Sequence, residues 1–332
     1  MPSLDIFNND AFSVTSLTRA INDTPFQPSR IAQLGWFSEE GISTTSMMME
    51  RQGTQISLVP AGVRGQPAKP KGPDKSKMVT IGCVHLPQRG HINADEVQNV
   101  RAFGSESEVE TVQNLVNKRL VKLRRDLDTT IEYQRIGAMK GQVLDADGTT
   151  VLLDLFSTFG LTKQTVDMNL DNDATKLRSV VVGAKRKSEN ALGALQYRSM
   201  RALCASDFFD AFVDHPAVQR AYDNFQDRAQ LQEDLRKGFM WGGIYWEEYR
   251  GQIGSIPFIA SGRAHLVPEG VPDLFSTFYA PADYMETVNT NGLPYYAKQQ
   301  LADFGKGVEI ESQSNPISVC TRPDAIIELQ LT

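Results

Sequence analysis

The most sustained apolar rhythm in the chain runs from Ser105 to about Lys140. There Val109, Val112, Val116, Leu120, Leu123, Leu127 and Ile131 recur at three- and four-residue steps. That stripe predicts one long amphipathic helix of roughly 35 residues, about 50 Å at 1.5 Å per residue. Ser105 with Glu108 makes a capping box, Glu106 and Glu110 suit the positive end of the helix dipole, and Gly137 and Gly141 weaken the far end. Lys118, Arg119, Lys122, Arg124 and Arg125 ride on the same helix with Asp126, Asp128 and Glu132 close by. Opposite charges a turn apart predict a solvated, ion-paired face rather than a nucleic-acid surface.

A period of two replaces the helical one on the N-terminal side. Ile42 to Pro60 and Met78 to Leu86 alternate in part and predict two strands. Between them, Pro67, Pro70 and Pro73 with repeated lysines forbid both helix and burial. The unit reads as a long two-stranded loop with a basic tip carrying Arg64, Lys69, Lys71, Lys75 and Lys77. Two strands bury too little apolar surface to stand alone, and arms of roughly 18 residues span about 60 Å. A neighbouring molecule is the expected support. Residues 1 to about 40 hold Phe7, Phe12, Phe26, Trp36 and Phe37 without any sustained period, which predicts an extended arm whose aromatics bury against the body of the chain or a neighbour.

Beyond the long helix, Asp147-Gly148 between Gln142-Val143-Leu144 and Thr150 to Phe156 predicts a tight hairpin. After Asp173, helical stretches (174–190, 206–213, 217–225) alternate with strand-like ones (195–204, 239–249, 263–267), the order of a compact α+β domain. Strands at 307–311 and 326–331 close the chain and are expected beside the long helix.

Composition narrows the function classes. At 332 residues and 41% hydrophobic, the chain can build a sizeable core. A net charge of −6 supplies no electrostatic footprint for gripping a phosphate backbone. No stretch approaches 18 apolar residues and no basic, then apolar, leader opens the sequence, so neither membrane insertion nor secretion is expected. Cys83, Cys204 and Cys320 are odd in number and widely spaced, which fits free thiols in a reducing compartment.

Catalytic signatures are missing: no phosphate loop, no dinucleotide fingerprint, no zinc-protease helix, no nucleophile elbow. Asp167 to Asp173 begins like a calcium loop but has Asn172 where glycine belongs and Arg178 where glutamate belongs, so its aspartates are expected to cap the next helix. Cys83 and His85 fall on one strand face without a fourth ligand. Trp241, Tyr245, Trp246 and Tyr249 fit a buried hairpin bent at Gly242-Gly243 better than a base-stacking platform, and His215-Pro216 ends one helix and begins another. The expectation is a structural protein with no catalytic, cofactor or metal site.

Several ordered motifs in the second half resemble one family. They are Ala202 to Asp210 continuing through His215 to Val218, Gly242 to Gly251, Val267-Pro268-Glu269-Gly270, Tyr279 to Asp283, and Val288 to Gly292 followed by Pro294 and Tyr296-Ala297-Lys298. In these the chain resembles the lambda-type tailed-phage major capsid protein E family, over about residues 40 to 332. The N-terminal arm and the basic loop from Val63 to Lys77 have no residue-by-residue match.

The resemblance implies the α+β Hong Kong 97 type capsid fold. On that view residues 1–40 are the N-terminal arm, 41–95 the extended E-loop, 96–173 the peripheral domain with its spine helix, 174–301 the axial domain and 302–332 returning peripheral strands. It implies a major capsid protein that assembles with itself as pentamers and hexamers into an icosahedral head shell. The shell would enclose DNA without sequence-specific binding, as part of the virion, after assembly in the host cytoplasm. The arm is too short and too rich in Pro and Asn for a fused helical scaffold, so a separate scaffolding protein is expected, with a portal and a decoration protein as further partners. The rival readings are an encapsulin-like bacterial compartment on the same fold and an enzyme using the aromatics of the axial domain.

Overall fold

The apolar stripe becomes a single helix, Glu108–Lys140. The computed structural model describes residues 13–24, 29–51, 77–98, 108–223, 235–254 and 256–332. They divide into two units: the first takes residues up to Met47, Thr80–Arg135 and Ser276–Ser318, the second Met48–Val79, Ile136–Phe275 and Val319–Thr332. The long helix therefore contributes its residues through Arg135 to the first unit and its last five to the second.

In the first unit, Val116, Leu120, Leu123, Leu127 and Ile131 are all buried. They pack with Leu17 and Ile21 of the helix Val14–Asp23, and with Ile92, Ala297, Val308 and Ile310 of a three-stranded antiparallel sheet. That sheet runs Tyr296–Leu301, Gly307–Ser314, Leu86–Asn93, with Ile310 opposite Gly90. Gly90 is needed there because a Cβ would sit 2.8 Å from Cγ of Arg119 on the helix. Val109 and Val112 belong to the same helix, but their side chains lie outside the described residues.

The N-terminal segment departs from the expected extended arm. Residues Val14–Asp23 form a helix whose N-cap Ser13 accepts from Ser16 N at 3.3 Å, and Arg30–Leu34 form a second short one. Leu17 and Ile21, one turn apart, bury into the unit's own core. A helix this short shows too few turns for its period to stand out in the sequence. Residues 1–12 lie outside the described ones.

Ser46–Arg51 pairs with Lys77–Gly82 in a two-stranded sheet, the body of the expected hairpin. Its tip, with Arg64, Lys69, Lys71 and Lys75, lies outside the described residues, as does the side chain of Lys77.

The second unit is built on a six-stranded mixed sheet. Its order is Gln164–Asp167, Ile327–Gln330, Arg263–Glu269, Ser199–Cys204, Ile244–Glu248, Phe239–Trp241. The last strand, expected beside the long helix, joins this sheet instead, antiparallel to Arg263–Glu269. Residues 276–301, expected in the same domain as 174–275, pack in the first unit. Alternation tells a strand which way its side chains point but not which sheet edge it will find.

Of the aromatic cluster, Trp246 and Tyr249 are core, while Trp241 and Tyr245 are half-buried at its edge. Trp246 is fully buried, stacks on Phe212 at 3.9 Å and donates its Nε1–H to the Trp241 carbonyl at 3.0 Å. Gly242 and Gly243, at φ +62° and +76°, supply the two left-handed residues of the hairpin turn that this requires. Two other expectations change. The strand predicted through Phe156 stops at Asp154, whose carboxylate accepts from Ser157 N and starts the helix Leu155–Phe159. Asp167 does not cap the following helix: it accepts from Asn169 N at 3.0 Å, while Leu177–Leu192 begins at Lys176 without a side-chain cap.

One face of this sheet carries buried charge. Cross-strand register sets His265 beside Glu328, which pairs with Lys163 and Arg263. His265 is buried, and burial first, then the nearby charges of Lys140, Lys163 and Arg263, hold its imidazole well below its ordinary pKa. Burial also pushes Lys140 down to about 8. The unfolded chain takes up a proton on His265 as pH falls past about 6.5, whereas the folded chain resists it. Stability conferred by the neutral ring is therefore lost on acidification, at up to about 1.4 kcal/mol per pH unit. His265→Gln should flatten the fall in melting temperature between about pH 7.5 and about pH 5; an unchanged slope would show that the ring is freely protonated in the fold.

Candidate functional site

Flanking the apolar stripe, the long helix carries Arg124, Asp128, Glu132 and Arg135 at steps of four, four and three, which align them along one face. Charge pattern alone predicts that the first three are solvated. All four are instead buried, at 7%, 9%, 4% and 5% exposure. Their partners come from the N-terminal segment and the strands beside it, and tertiary contact accounts for the difference.

Arg124 reaches the C-terminal end of the helix Val14–Asp23. Its Nη1 donates to the carbonyls of Ile21, Asn22 and Thr24 at 2.5, 2.8 and 2.5 Å. Those are the carbonyls a helix end leaves without partners, and a cation complements the negative end of its dipole. The guanidinium also lies 4.8 Å from the centroid of the Tyr295 ring.

Asp128 sits one turn on, its Oδ2 3.7 Å from Arg124 Nε, and its Oδ1 accepts a hydrogen bond from the Tyr295 hydroxyl. Burial raises the Asp128 pKa above the ordinary carboxylate value, opposed by the Tyr295 hydrogen bond and by Arg124. Burial, then the Asp128 charge, drives the Tyr295 phenol upward in turn.

Glu132 serves the opposite end of the next helix. Its carboxylate accepts from Ser29 Oγ at 2.5 Å and Ile31 N at 2.9 Å, at the start of Arg30–Leu34. Ser29 itself makes no capping bond there, so the long helix supplies the cap. Arg135 completes the row: it donates to Glu39 Oε1 at 2.5 Å, Thr277 Oγ1 at 3.2 Å and the Tyr279 hydroxyl at 3.3 Å, and lies 5.5 Å from the Phe37 ring centroid.

A cavity of about 380 Å³ lies among these groups. Each ionised side chain in the row holds backbone or an opposite charge in place. The arrangement is a clamp that fastens Val14–Asp23 and residues 29–39 along the long helix. Sequence reasoning found the charges but not the clamp, because the signal is two helix ends in one segment answered by charges of the right sign a hundred residues away.

A second recess, of about 740 Å³, opens at the root of the hairpin and is lined by Cys83 and His85 together with the turn after Tyr279. His85 Nδ1 lies 2.7 Å from Asn315 Oδ1, and burial pushes the Cys83 thiol up to about 11. Both line the recess, but from the link between the strands Lys77–Gly82 and Leu86–Asn93 rather than from one strand face as the alternation predicts. Among the described residues no group of three or more His, Cys, Asp or Glu is arranged to hold a metal ion, and no helix is long and apolar enough to cross a membrane.

Comparison with solved structures places this architecture. The capsid structure of the cyanophage P-SCSP1u aligns with a TM-score of 0.52 at 13% identity, covering 93% of this chain and 90% of that one. The mature capsid of bacteriophage PhiM1 aligns at 0.51 and 12%, covering 93% and 89%. The class is thus the α+β Hong Kong 97 type capsid fold.

The particular family is shown by sequence. The model of phage major capsid protein E matches residues 13–331, and the chain belongs to that family. The major capsid protein of Pseudomonas phage KPP10 is 28% identical over 99% of this chain and 98% of its own length. That of Salmonella phage Felix O1 is 25% identical, with 96% of each covered. Membership makes this chain a shell-forming structural component of a phage virion, and it favours the phage shell over a bacterial compartment.

Proposed function

We propose that copies of this chain assemble as hexamers and pentamers into an icosahedral head shell that encloses phage DNA without reading its sequence. In this reading its role is structural, with no catalytic centre and no cofactor. The observation that carries it is the hairpin Ser46–Arg51 with Lys77–Gly82, a sheet of two strands only. Such a ribbon is marginal by itself and gains stability by lying on another surface. Within the expected stretch 41–95 this ribbon therefore serves as the E-loop that reaches a neighbouring subunit, while Leu86–Asn93 stays in the subunit's own sheet and Val14–Asp23 in its own core. The clamp on the long helix supports the same reading, since a rigid body with a fastened N-terminal segment can carry flexible contacts in slightly different neighbourhoods. Assembly in the host cytoplasm, guided by a separate scaffolding protein, joined to a portal and covered by a decoration protein, completes the reading.

The basic tip supplies the test. Replacing residues 64–77, with Arg64, Lys69, Lys71, Lys75 and Lys77, by a short Gly-Ser turn should leave subunit melting and helix content nearly unchanged, because such loops tolerate edits. Shell formation should fail, or give particles that fall apart at lower salt than the wild type, since lysines meeting acidic neighbours add screened attraction. Normal particles of equal salt resistance, seen by sedimentation and negative stain, would refute the E-loop as an intersubunit clamp.

A further inference from the structure

Large apolar side chains concentrate on one short loop of the first unit. Met285 is 88% exposed, Val288 58% and Leu293 44%. A soluble surface carries single exposed hydrophobics without consequence, but a cluster on one rigid element marks a contact site.

The loop is stiff. Thr287 Oγ1 donates to the Ala282 and Tyr284 carbonyls at 2.7 and 2.9 Å, Thr290 Oγ1 to the Thr287 carbonyl at 2.7 Å, and Leu293 N to the Tyr296 hydroxyl at 2.8 Å. Gly292 is wedged so tightly that a Cβ would fall 1.9 Å from the Tyr279 carbonyl oxygen, and its N–H donates to Ile42 O at 2.9 Å. Three apolar tips are thus presented already ordered, which lowers the entropy cost of binding.

Beside Met285 and Val288 lies the 740 Å³ recess, which they line together with Cys83, Ala280 and Pro281. Its lining contains one carboxylate, Asp283, and no lysine or arginine. An apolar occupant suits it better than a phosphate or an acidic peptide. Charge next to the tips is already compensated, with Glu286 paired to Lys298 at 2.7 Å, so two copies of the same surface meet without strong like-charge repulsion.

We propose that this loop and recess form a contact between copies of the chain in the shell, with Met285 and Val288 of one copy entering the recess of the next. The inference rests on the shell-forming reading above and adds where two copies touch. One subunit holds both the protruding and the receiving half on the same surface, the condition for a self-complementary two-fold contact. The neighbour is a second copy because the family builds its shell from many copies of one chain, and because Ala280, Pro281 and Ala282 give the recess an apolar wall against which such tips can pack.

Three variants test it in full-length protein. Met285→Asp with Val288→Asp alters exposed positions only, so subunit melting should match wild type while the yield of sedimenting shells falls about tenfold or more. Met285→Cys in wild-type-like shells should, on treatment with the thiol oxidant diamide, join to Cys83 of the facing copy and give covalent dimers. Adding Cys83→Ser should abolish that dimer. Shells that form at wild-type yield from the double aspartate variant, or a Met285→Cys chain that stays monomeric under denaturing electrophoresis, would overturn this contact while leaving shell formation standing. A wild-type chain that forms no shells under any condition would overturn both.

Discussion

Val116→Asp is expected to abolish accumulation of soluble subunit. Val116 has no exposed surface and sits in the cluster with Leu120, Ile92 and Val308. A carboxylate there has no cation within the apolar stripe and must either ionise in hydrocarbon or take up a proton, at a cost on the order of 4–5 kcal/mol. Whole-domain stabilities run to only about 5–15 kcal/mol, so this one change consumes a large part of the margin. Val121, on the same helix but 40% exposed, is the control, and Val121→Asp should stay within about 0.5 kcal/mol of wild type. Soluble yield and urea midpoints decide the matter; equal midpoints for Val116→Asp and wild type would mean that the helix does not pack on this face.

Breaking the clamp is expected to have the next largest effect. Arg124→Met removes the donor to the Ile21, Asn22 and Thr24 carbonyls and strips Asp128 of its counter-ion. Losing one member of a buried pair costs about 3–5 kcal/mol, because the remaining charge stays desolvated. Adding Asp128→Asn should recover part of that cost, which separates the stranded charge from the lost helix cap. Hydrogen exchange should accelerate across Val14–Asp23 first, because that helix loses its tie to the core while the long helix keeps its apolar stripe. Unaltered protection of that segment in Arg124→Met would show that Leu17 and Ile21 hold it without the arginine.

The clamp also explains why residues 13–39 look unstructured as sequence. Neither Val14–Asp23 nor Arg30–Leu34 is long enough to be stable in isolation. Each is completed by a charge from the long helix, Arg124 for one end and Glu132 for the other. Local propensity cannot report such a helix because its decisive hydrogen bonds are not local.

What the sequence by itself determined is set by local periodicity and turn chemistry. The stripe from Val116 to Ile131 specified a helix and its buried face, since three- and four-residue spacing places those side chains together whatever surrounds them. Gly242-Gly243 specified a tight hairpin, because only residues at ease with positive φ make that turn. The ordered motifs from Ala202 to Lys298 carried the family, and the family carried the fold. Only the tertiary structure decided the rest. The strand Ile327–Gln330 alternates as any half-buried strand does, and its place beside Arg263–Glu269 follows from an available edge in the sheet. Arg124, Asp128 and Glu132 read as a solvated charge pattern, yet they are buried because helix ends distant in sequence arrive to satisfy them. Met285 and Val288 stand exposed on a loop held by the Thr287 and Thr290 hydroxyls and the tight seat of Gly292, which no local spacing announces. Side-chain periodicity is a property of neighbours along the chain, whereas strand partners, buried ion networks and exposed apolar tips are settled by neighbours in space.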